Sequence, residues 1–424
     1  MSASAKKIQT VSAYRDNPLI DALGPIFDPL MLLANLTDMP ELPINVAQTP
    51  FHIRLHQLYS LRNLYVPSND SKAVGTSMDL MIRQGYSYKR PGNPETWGPI
   101  FGDRESHHQR TPPAMSMSVI GTSGTGKTEA IGRNLSLYPS QVYIHEKFPQ
   151  MASELPQLIF LRADVPESGR SEDLAVNLMR AFDQALDTKR FAKRIEGKRR
   201  DGPAMMDEWR DVANAHFLGV LHLDEVQNFF KIATLKQRRS IASKENRPEL
   251  RVIEDGMLKS VLSMTNTWRI PLIFSGTPDG MAALSTRLST AQRLVTCGHH
   301  VMHPIKSSED VFFKEIFFPI LCKYQWVVKP MKCTSEFASL IIELSGGIMR
   351  IVIMLWIAAH RVAFDAGRDE LRESDFHLAA DSYLSPLKPA VEALRSDEPL
   401  KLARYEDLLP RSDPFWAGLT AGII

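Results

Sequence analysis

Apolar positions give the middle of the chain an alternating pattern of strands and helices. Strand-length apolar runs occupy residues 115–120, 217–223 and 270–274, and helix-period patterns occupy 129–137 and 171–187. Strands that alternate with helices are typical of a parallel sheet covered by helices. Two further strand-like runs lie between these two helices and are predicted to belong with the strands: 141–145 and 157–162.

The pattern becomes entirely helical from residue 304. Four segments carry apolar residues at three- and four-residue spacing, and each is predicted to be a helix: 308–323, 335–344, 348–366 and 374–383. Thr334 suits the N-cap of the second helix. The sequence therefore predicts a small helical unit behind an α/β core.

The two ends of the chain carry no recognisable chemistry. In the first 112 residues, prolines break 17–36 into short helices, an amphipathic helix is expected over 51–64, and 86–113 is irregular. This region is an accessory domain, a docking module or a purely structural segment. The proline-rich remainder after residue 384 is a tail, and its part 405–416 is either a partner-binding peptide or a packed or disordered terminus.

These patterns divide the chain into four predicted parts. We expect an N-terminal accessory region (1–112), an α/β core (113–303), a helical lid (304–384) and a C-terminal tail (385–424).

Composition adds little that is specific. The 424 residues are 44% hydrophobic and 23% charged, with a net charge of +2, so any basic surface must be local. No apolar run approaches the roughly 18 residues of a membrane helix, and charges interrupt any N-terminal signal segment. The three cysteines form neither a disulfide framework nor a metal-spaced set, which predicts incidental thiols and a reducing, cytoplasmic location: Cys297, Cys322 and Cys333.

Candidate chemistry begins where the first strand ends. The segment 121–128, GTSGTGKT, matches the phosphate-loop pattern G-x-x-x-x-G-K-[ST] and lies between a predicted strand and a predicted helix. Its glycines let backbone N–H groups turn toward phosphates, next to the positive end of the helix. Lys127 is expected to reach the β- and γ-phosphates, and Thr128 to ligate Mg²⁺. ATP and Mg²⁺ are therefore the predicted cofactors, held by Gly121, Thr122, Ser123, Gly124, Thr125, Gly126, Lys127 and Thr128.

An acidic pair follows the apolar run 217–223. Asp224 and Glu225 fit the Walker B pattern, in which the aspartate holds Mg²⁺ through water and the glutamate polarises the attacking water. Such a pair alone is a weak signal, but it becomes specific downstream of a complete phosphate loop.

Five further residues are candidates for three roles in sensing the nucleotide. Ser275 and Thr277 follow the strand 270–274, and either is a candidate for the sensor 1 position beside the γ-phosphate, unless both are ordinary turn residues. Arg287 and Arg293 are candidates for an arginine finger that reaches a neighbouring subunit, unless they are plain surface residues. In Gly346-Gly347-Ile348-Met349-Arg350, Arg350 fits the sensor 2 position on the lid.

Two basic stretches lie within the core, at residues 189–200 and 231–244. We predict contacts to the DNA backbone, which need only point charges, and the alternative is a pair of solvated helix faces. The residues assigned to DNA contact are Lys198, Arg199, Arg200, Lys236, Arg238 and Arg239.

A phosphate-loop core followed by a lid with Gly-Gly-x-x-Arg resembles the AAA+ layout, and the fold class expected is α/β. Within that class the chain is similar to the TnsC/TniB family of transposon regulators. The similarity runs from about residue 113 to 381, through the phosphate loop and four other segments: 135–145, 157–164, 223–228 and 274–278.

The resemblance implies a function that the spacing of residues does not. ATP-bound subunits would assemble head to tail into rings or filaments on duplex DNA, linking a TniQ- or TnsD-like target selector to a TnsA/TnsB-like transposase, and hydrolysis would dismantle the assembly. A membrane partner is not expected.

Two rival interpretations remain. The first is a replication initiator of the origin-recognition type or a helicase loader, although little room follows residue 383 for a winged-helix domain. The second is a nucleotide-gated scaffold with little turnover, which the intact Asp224-Glu225 pair disfavours.

Overall fold

The computed structural model describes residues 11–98, 112–197, 201–229, 264–265, 268–278, 292–396, 398–402 and 405. Seven strands lie within them: β1 (Ser116–Gly121), β2 (Val142–His145), β3 (Leu155–Leu158), β4 (Phe160–Asp164), β5 (Val220–Asp224), β6 (Leu272–Gly276) and β7 (His299–Met302).

Five of these strands form one parallel sheet in the order β4-β5-β6-β1-β7. Because every pairing is parallel, the carboxyl ends of the strands meet at one edge of the sheet. Val119 of β1 lies opposite Ser275 of β6, and Asp164 of β4 lies opposite Asp224 of β5. The predicted parallel sheet is confirmed, and the phosphate loop leaves its central part.

The predicted strand at 141–145 does not join this sheet. It forms β2, which pairs antiparallel with β3, so that Val142 lies opposite Leu158. The apolar run predicted as one strand over 157–162 is divided at Ile159, whose N–H donates to the Gln141 carbonyl at 2.9 Å. A run of apolar residues indicates that a strand is buried, but it does not indicate which strand it pairs with. The pairing of β2 with β3 could therefore not be predicted from the sequence pattern.

Helices cover both faces of the sheet. One face packs against α7 (Ser171–Leu186) and α9 (Gly202–Ala215), with α8 (Ala192–Glu196) between them in the chain, and buries large side chains such as Trp209. The other face packs against α6 (Lys127–Leu135), the helix that follows the phosphate loop.

The helical unit after β7 is built largely as predicted. It comprises a π-helical turn (Phe313–Phe317) and four α-helices: α10 (Phe318–Leu321), α11 (Ser335–Ser345), α12 (Met349–Asp365) and α13 (Glu373–Asp381). Thr334 caps α11 by accepting the Phe337 N–H at 3.3 Å. Helix α12 is the centre of this unit, because Trp356 on it is fully buried against Phe337 and Phe376.

The first part of the predicted tail is also helical. Helix α14 (Lys388–Ser396) buries Val391 in the lid core, and α15 (Pro399–Leu402) follows it. The proposed partner-binding peptide, 405–416, lies outside the described residues apart from Tyr405.

The N-terminal region consists of short helices that lie on both other parts. Its helices are α1 (Pro18–Asp21), α2 (Pro29–Leu36), α3 (Phe51–Leu58), α4 (Asn69–Ser87) and α5 (Pro94–Trp97), with a 3-10 helix at Tyr59–Asn63. Helix α4 is the longest of these, with 19 residues. It packs Met78 and Ile82 against the α6 face of the sheet, while Leu58 and Leu61 join the lid core. The region therefore bridges the core and the lid.

The prediction of three incidental thiols is wrong for two of them. Cys322 and Cys333 are joined by a disulfide, and Cys297 is the free cysteine of the described residues. Gln325 exchanges two hydrogen bonds with the backbone of Met331, at 2.7 and 3.0 Å, which closes the loop and brings the cysteines together. The eleven-residue separation carries no recognisable motif, so the pair could not be predicted from local pattern.

Within the described part of the chain, no single helix is long and apolar enough to cross a membrane. The pair α11 and α12 meets that criterion only when the two are taken together across a bend of 110°.

Candidate functional site

The phosphate loop has the backbone that its glycines were expected to provide. Gly124 and Gly126 adopt φ angles of +84° and +98°, which residues with a side chain rarely adopt. The Thr125 hydroxyl and N–H both donate to the Thr122 carbonyl, at 2.8 and 3.3 Å, and fix the turn. Gly126 then begins α6, so the loop opens directly into the N-terminus of that helix.

Lys127 lies inside the loop and is 8% exposed. Its Nζ donates to the carbonyl of Gly121 at 2.7 Å and to that of Thr122 at 3.1 Å. A buried ammonium needs such partners. Bound phosphates would offer it charged acceptors instead, so its position fits the predicted role.

Asp224 is linked to the phosphate loop and to the neighbouring strand. Its Oδ2 accepts the Thr128 hydroxyl at 2.7 Å, and its Oδ1 accepts the Ser275 hydroxyl at 2.6 Å and the Glu225 N–H at 2.9 Å. Ser275 in turn lies 2.6 Å from Nε2 of His222. The structure therefore brings Thr128, Asp224 and Ser275 together and adds His222.

The charges of this group follow from burial and hydrogen bonding. Burial lowers the pKa of His222 to about 4, so the ring is neutral near pH 7. Burial raises the pKa of Asp224, but attraction to His222 and the hydrogen bonds from Ser275, Thr128 and the Glu225 N–H outweigh it and lower the pKa. Because the ring is neutral near pH 7, the hydrogen bonds are what keep the carboxylate ionised there.

These residues fit a magnesium ion. Among the described residues, no group of three or more His, Cys, Asp or Glu side chains is arranged to hold a metal. Mg²⁺ does not require one, because it usually takes one or two carboxylates together with substrate phosphates and water. Thr128 and Asp224 supply a hydroxyl and an ionised carboxylate beside the loop.

Glu225 lies at the mouth of the site and is exposed. Its φ angle is +57°, an uncommon conformation for a residue with a side chain. The Gln227 amide donates to its carboxylate, and the Asp224 carboxylate accepts its N–H.

The two sensor 1 candidates have different surroundings. Ser275 is fully buried and bonded to Asp224, whereas Thr277 is 7% exposed and its N–H donates to Gln227 at 3.3 Å. Both lie at the carboxyl end of β6, beside the Walker B pair.

The lid touches the phosphate loop at the predicted sensor 2 position. The Arg350 N–H donates to the Gly124 carbonyl at 3.3 Å. A Cβ atom placed on Gly124 would lie 2.8 Å from Ile348 and 3.3 Å from Cβ of Arg350. The start of α12 therefore lies directly on the loop, with the exposed side chain of Arg350 beside it.

The remaining candidates lie elsewhere or outside the described residues. Arg293 is exposed, and its carbonyl accepts the Ser116 hydroxyl at the amino end of β1, the end opposite the phosphate loop. In the first basic stretch, Arg194 pairs with Glu208 at 3.3 Å. The following candidates lie outside the described residues: Arg287, Lys198, Arg199, Arg200, Lys236, Arg238 and Arg239.

His222 is the site residue that the sequence analysis did not find. The available signal was its spacing, because residues two apart on a strand share a face, and His222 stands two before Asp224.

Comparison with known proteins identifies the class of the core. A family model described as an AAA domain matches residues 111–284, the span that holds the phosphate loop and the Walker B pair. Together with the five-stranded parallel sheet and the helical lid, this match establishes an α/β fold of the AAA+ type. The chain therefore carries an AAA+ ATPase domain.

Individual proteins add little to that assignment. No curated protein matches the chain. Among solved structures, the Aeropyrum pernix ORC1 protein in complex with DNA is 12% identical, with 78% of this chain and 72% of that chain covered and a TM-score of 0.41. Two structures of the Aeropyrum pernix ORC2 protein are also similar. The ADP form is 12% identical, with 63% of each chain covered and a TM-score of 0.38. The structure of the ADPNP-ADP complexes is 14% identical, with 73% of this chain and 79% of that chain covered and a TM-score of 0.39.

Proposed function

We propose that this protein is an ATP-dependent, DNA-binding AAA+ regulator of transposition. In this proposal it oligomerises on duplex DNA as a ring or filament and couples a TniQ- or TnsD-like target selector to a TnsA/TnsB-like transposase. The transposon part of the proposal is supported by the sequence resemblance to the TnsC/TniB family. A cytoplasmic location is proposed with it, because ATP and DNA meet there.

The observation that carries the nucleotide-dependent part is the contact between Arg350 and Gly124. A lid that rests on the phosphate loop senses whatever occupies the loop, because a bound γ-phosphate changes the partners available to both. Arg350 would then bind the phosphates from the lid, and the lid's position would depend on the nucleotide.

In this proposal each residue of the site has a separate role in hydrolysis. Lys127 would exchange its two carbonyl partners for phosphate oxygens, and Thr128 and Asp224 would hold Mg²⁺. When bound, the ion neutralises charge on the phosphates. Glu225 would orient a water for attack on the γ-phosphorus, in line with the bond to the departing ADP. Arg350 would stabilise the charge that develops on the transferred group.

Duplex-DNA binding with size analysis tests the proposal. The protein is compared with ATP, with a slowly hydrolysed analogue, with ADP and without nucleotide. We expect large DNA-bound oligomers with ATP or the analogue, longer-lived oligomers for Glu225→Gln, and none for Lys127→Ala. Lys388→Ala, which removes an exposed lysine of the lid, is the matched control and should behave as the wild type.

A monomeric protein that ignores DNA in every nucleotide state would refute the proposal. DNA-bound oligomers that form equally well without nucleotide would refute its ATP-dependent part.

A further inference from the structure

A continuous line of hydrogen bonds joins the interior of the sheet to the phosphate loop. It runs from His222 to Ser275 at 2.6 Å, from Ser275 to Asp224 at 2.6 Å, and from Thr128 to the other oxygen of Asp224 at 2.7 Å. His222 and Ser275 are both 0% exposed, so water does not reach this end of the line.

The direction of each hydrogen bond follows from the chemistry of the groups. An ionised carboxylate can only accept, so the single hydroxyl hydrogen of Ser275 is donated to Asp224. The Ser275 oxygen must then accept its other hydrogen bond from Nε2–H of His222. The ring therefore carries a proton on Nε2.

Nδ1 of His222 has no hydrogen-bond partner among the described residues. A buried polar atom without a partner destabilises the fold, and an apolar residue in the same strand would avoid that cost. Proteins keep such costs mainly at functional positions. This observation points to a role for the Nε2 side of the ring.

That role concerns the orientation of Asp224. Its Oδ1 accepts from both Ser275 and the Glu225 N–H, whereas Oδ2 faces Thr128. Two donors on Oδ1 hold the carboxylate against rotation and leave Oδ2 for the magnesium site. Partners behind a metal ligand set its orientation and affinity in this way.

We propose that His222 is a positioning residue that acts through Ser275 to orient Asp224 toward the magnesium ion of the bound nucleotide. The inference rests on the proposed nucleotide function. It also assigns the sensor 1 role to Thr277, because the only hydroxyl hydrogen of Ser275 is committed to Asp224.

The test measures nucleotide binding as well as turnover. A fluorescent ATP analogue is titrated at fixed protein over a range of Mg²⁺ concentrations and in EDTA, and ATP hydrolysis is followed in parallel. The variants are His222→Leu, which removes the donor, His222→Gln, whose amide replaces Nε2–H, Ser275→Ala, and Thr277→Ala. Thermal unfolding shows that each variant is folded.

We expect His222→Leu to raise the Mg²⁺ concentration for half-maximal nucleotide binding about tenfold, the lower end of the effect for residues behind a metal ligand. Binding in EDTA should stay within about twofold, because the phosphate loop is unchanged. His222→Gln should recover most of the loss, and the double variant His222→Leu/Ser275→Ala should be no worse than either single one, since both break the same line. Thr277→Ala should lower kcat without changing the Mg²⁺ requirement.

A folded His222→Leu protein with the wild-type Mg²⁺ requirement would overturn the proposal, as would equal losses in His222→Gln and His222→Leu. If His222→Leu does not fold, Ser275→Ala carries the same expectation. Wild-type protein that binds the analogue with Mg²⁺ but never hydrolyses ATP would refute the ATPase proposal alone, because the binding titrations still decide the role of His222.

Discussion

Two lid glycines share a backbone conformation but differ in their surroundings. Gly347 and Gly367 have φ angles of +67° and +68°. A Cβ atom on Gly347 would overlap the carbonyl of Ile305, whereas one on Gly367 would meet nothing within 4 Å. The Gly347 carbonyl also accepts the Ile305 N–H at 3.0 Å, so the close approach holds the start of the lid against the turn before α12.

Comparing Gly347 with Gly367 separates the cost of a left-handed backbone conformation from the cost of a steric clash. Gly367→Ala should cost about 1 kcal/mol through the left-handed conformation alone. Gly347→Ala should cost at least ~2 kcal/mol more, because the Ile305 carbonyl is backbone and cannot turn aside. Denaturant unfolding of both variants measures the difference, and equal losses would show that the Ile305 carbonyl does not constrain Gly347.

A buried histidine makes the stability of the lid depend on pH. His360 is fully buried between an N–H of Trp326, which donates to its Nε2 at 3.2 Å, and the Trp356 carbonyl, which accepts from Nδ1 at 2.8 Å. Burial lowers its pKa to about 4. Protonation would force Nε2 to give up the Trp326 N–H.

The direction of this pH dependence follows from which state of the chain binds the proton. Between pH 6.5 and 4 the unfolded chain holds a proton on this residue and the folded chain does not, so stability is complete above pH 6.5 and falls as the pH falls. Lowering the pKa of His360 from 6.5 to about 4 corresponds to a loss of up to about 3 kcal/mol in the free energy of unfolding at low pH.

His360→Gln should reduce this dependence, and His377→Gln, at an exposed lid position, should leave it unchanged. A buried His222 acts in the same direction, so the slope should shrink without vanishing. Denaturant unfolding at pH 5 and pH 7.5 is the measurement. An unchanged slope in His360→Gln would contradict the assignment.

At the scale of elements, α3 fastens the N-terminal region to the lid. Arg54 is 3% exposed and donates to both carboxylate oxygens of Asp369, at 2.7 and 2.9 Å, and to the Trp326 carbonyl at 2.8 Å. Its guanidinium lies 4.6 Å from the ring centre of Phe51 and 5.4 Å from that of Phe364. These hydrogen bonds lower the pKa of Asp369.

Arg54→Met keeps the apolar stem and removes the charge. It should cost about 2–3 kcal/mol, which is less than for a fully buried pair because water reaches the Asp369 that remains. Lys388→Met breaks the exposed pair with Asp381 and should cost under about 0.5 kcal/mol. Similar losses in the two variants would show that α3 does not fasten the lid.

Local sequence patterns predicted the helices and strands better than they predicted contacts between residues far apart in the chain. Strand β1 and helix α12 were predicted to within one residue at each end, because each is encoded by neighbouring positions. The pairing of β2 with β3 and the attachment of α3 to the lid depend on residues far apart in the chain. Arg54 and Asp369 are separated by 315 positions, and no local pattern marks either of them.

The candidate site shows the same division. Lys127, Thr128 and Asp224 belong to motifs, so their predicted roles follow from the sequence alone. His222 belongs to an apolar run and resembles an ordinary core position until the register places it beside Ser275 of another strand. Single-sequence reasoning finds residues that a motif names and misses those that support them.

At the scale of the whole molecule, Arg293 lies at the edge of the sheet opposite the phosphate loop, too far away to contact a nucleotide bound to its own subunit. Its carbonyl is bonded to Ser116, the first residue of β1, whereas the phosphate loop begins at Gly121, the last residue of that strand. Five strand residues span about 16 Å. We therefore predict that Arg293, as an arginine finger, would act on a neighbouring subunit of the proposed head-to-tail assembly.

Mixing two inactive variants tests this arrangement. Glu225→Gln subunits lack a working site but are expected to assemble and keep Arg293, and Arg293→Ala subunits keep the site but lack the finger. In a random 1:1 mixture, about a quarter of the interfaces combine an intact site with an intact finger, so about a quarter of wild-type ATPase activity should return. Glu225→Gln mixed with Asp224→Asn is the control, because both defects lie in the subunit's own site and no interface is repaired. A Glu225→Gln and Arg293→Ala mixture no more active than its two components would exclude Arg293 and direct the same experiment to Arg287.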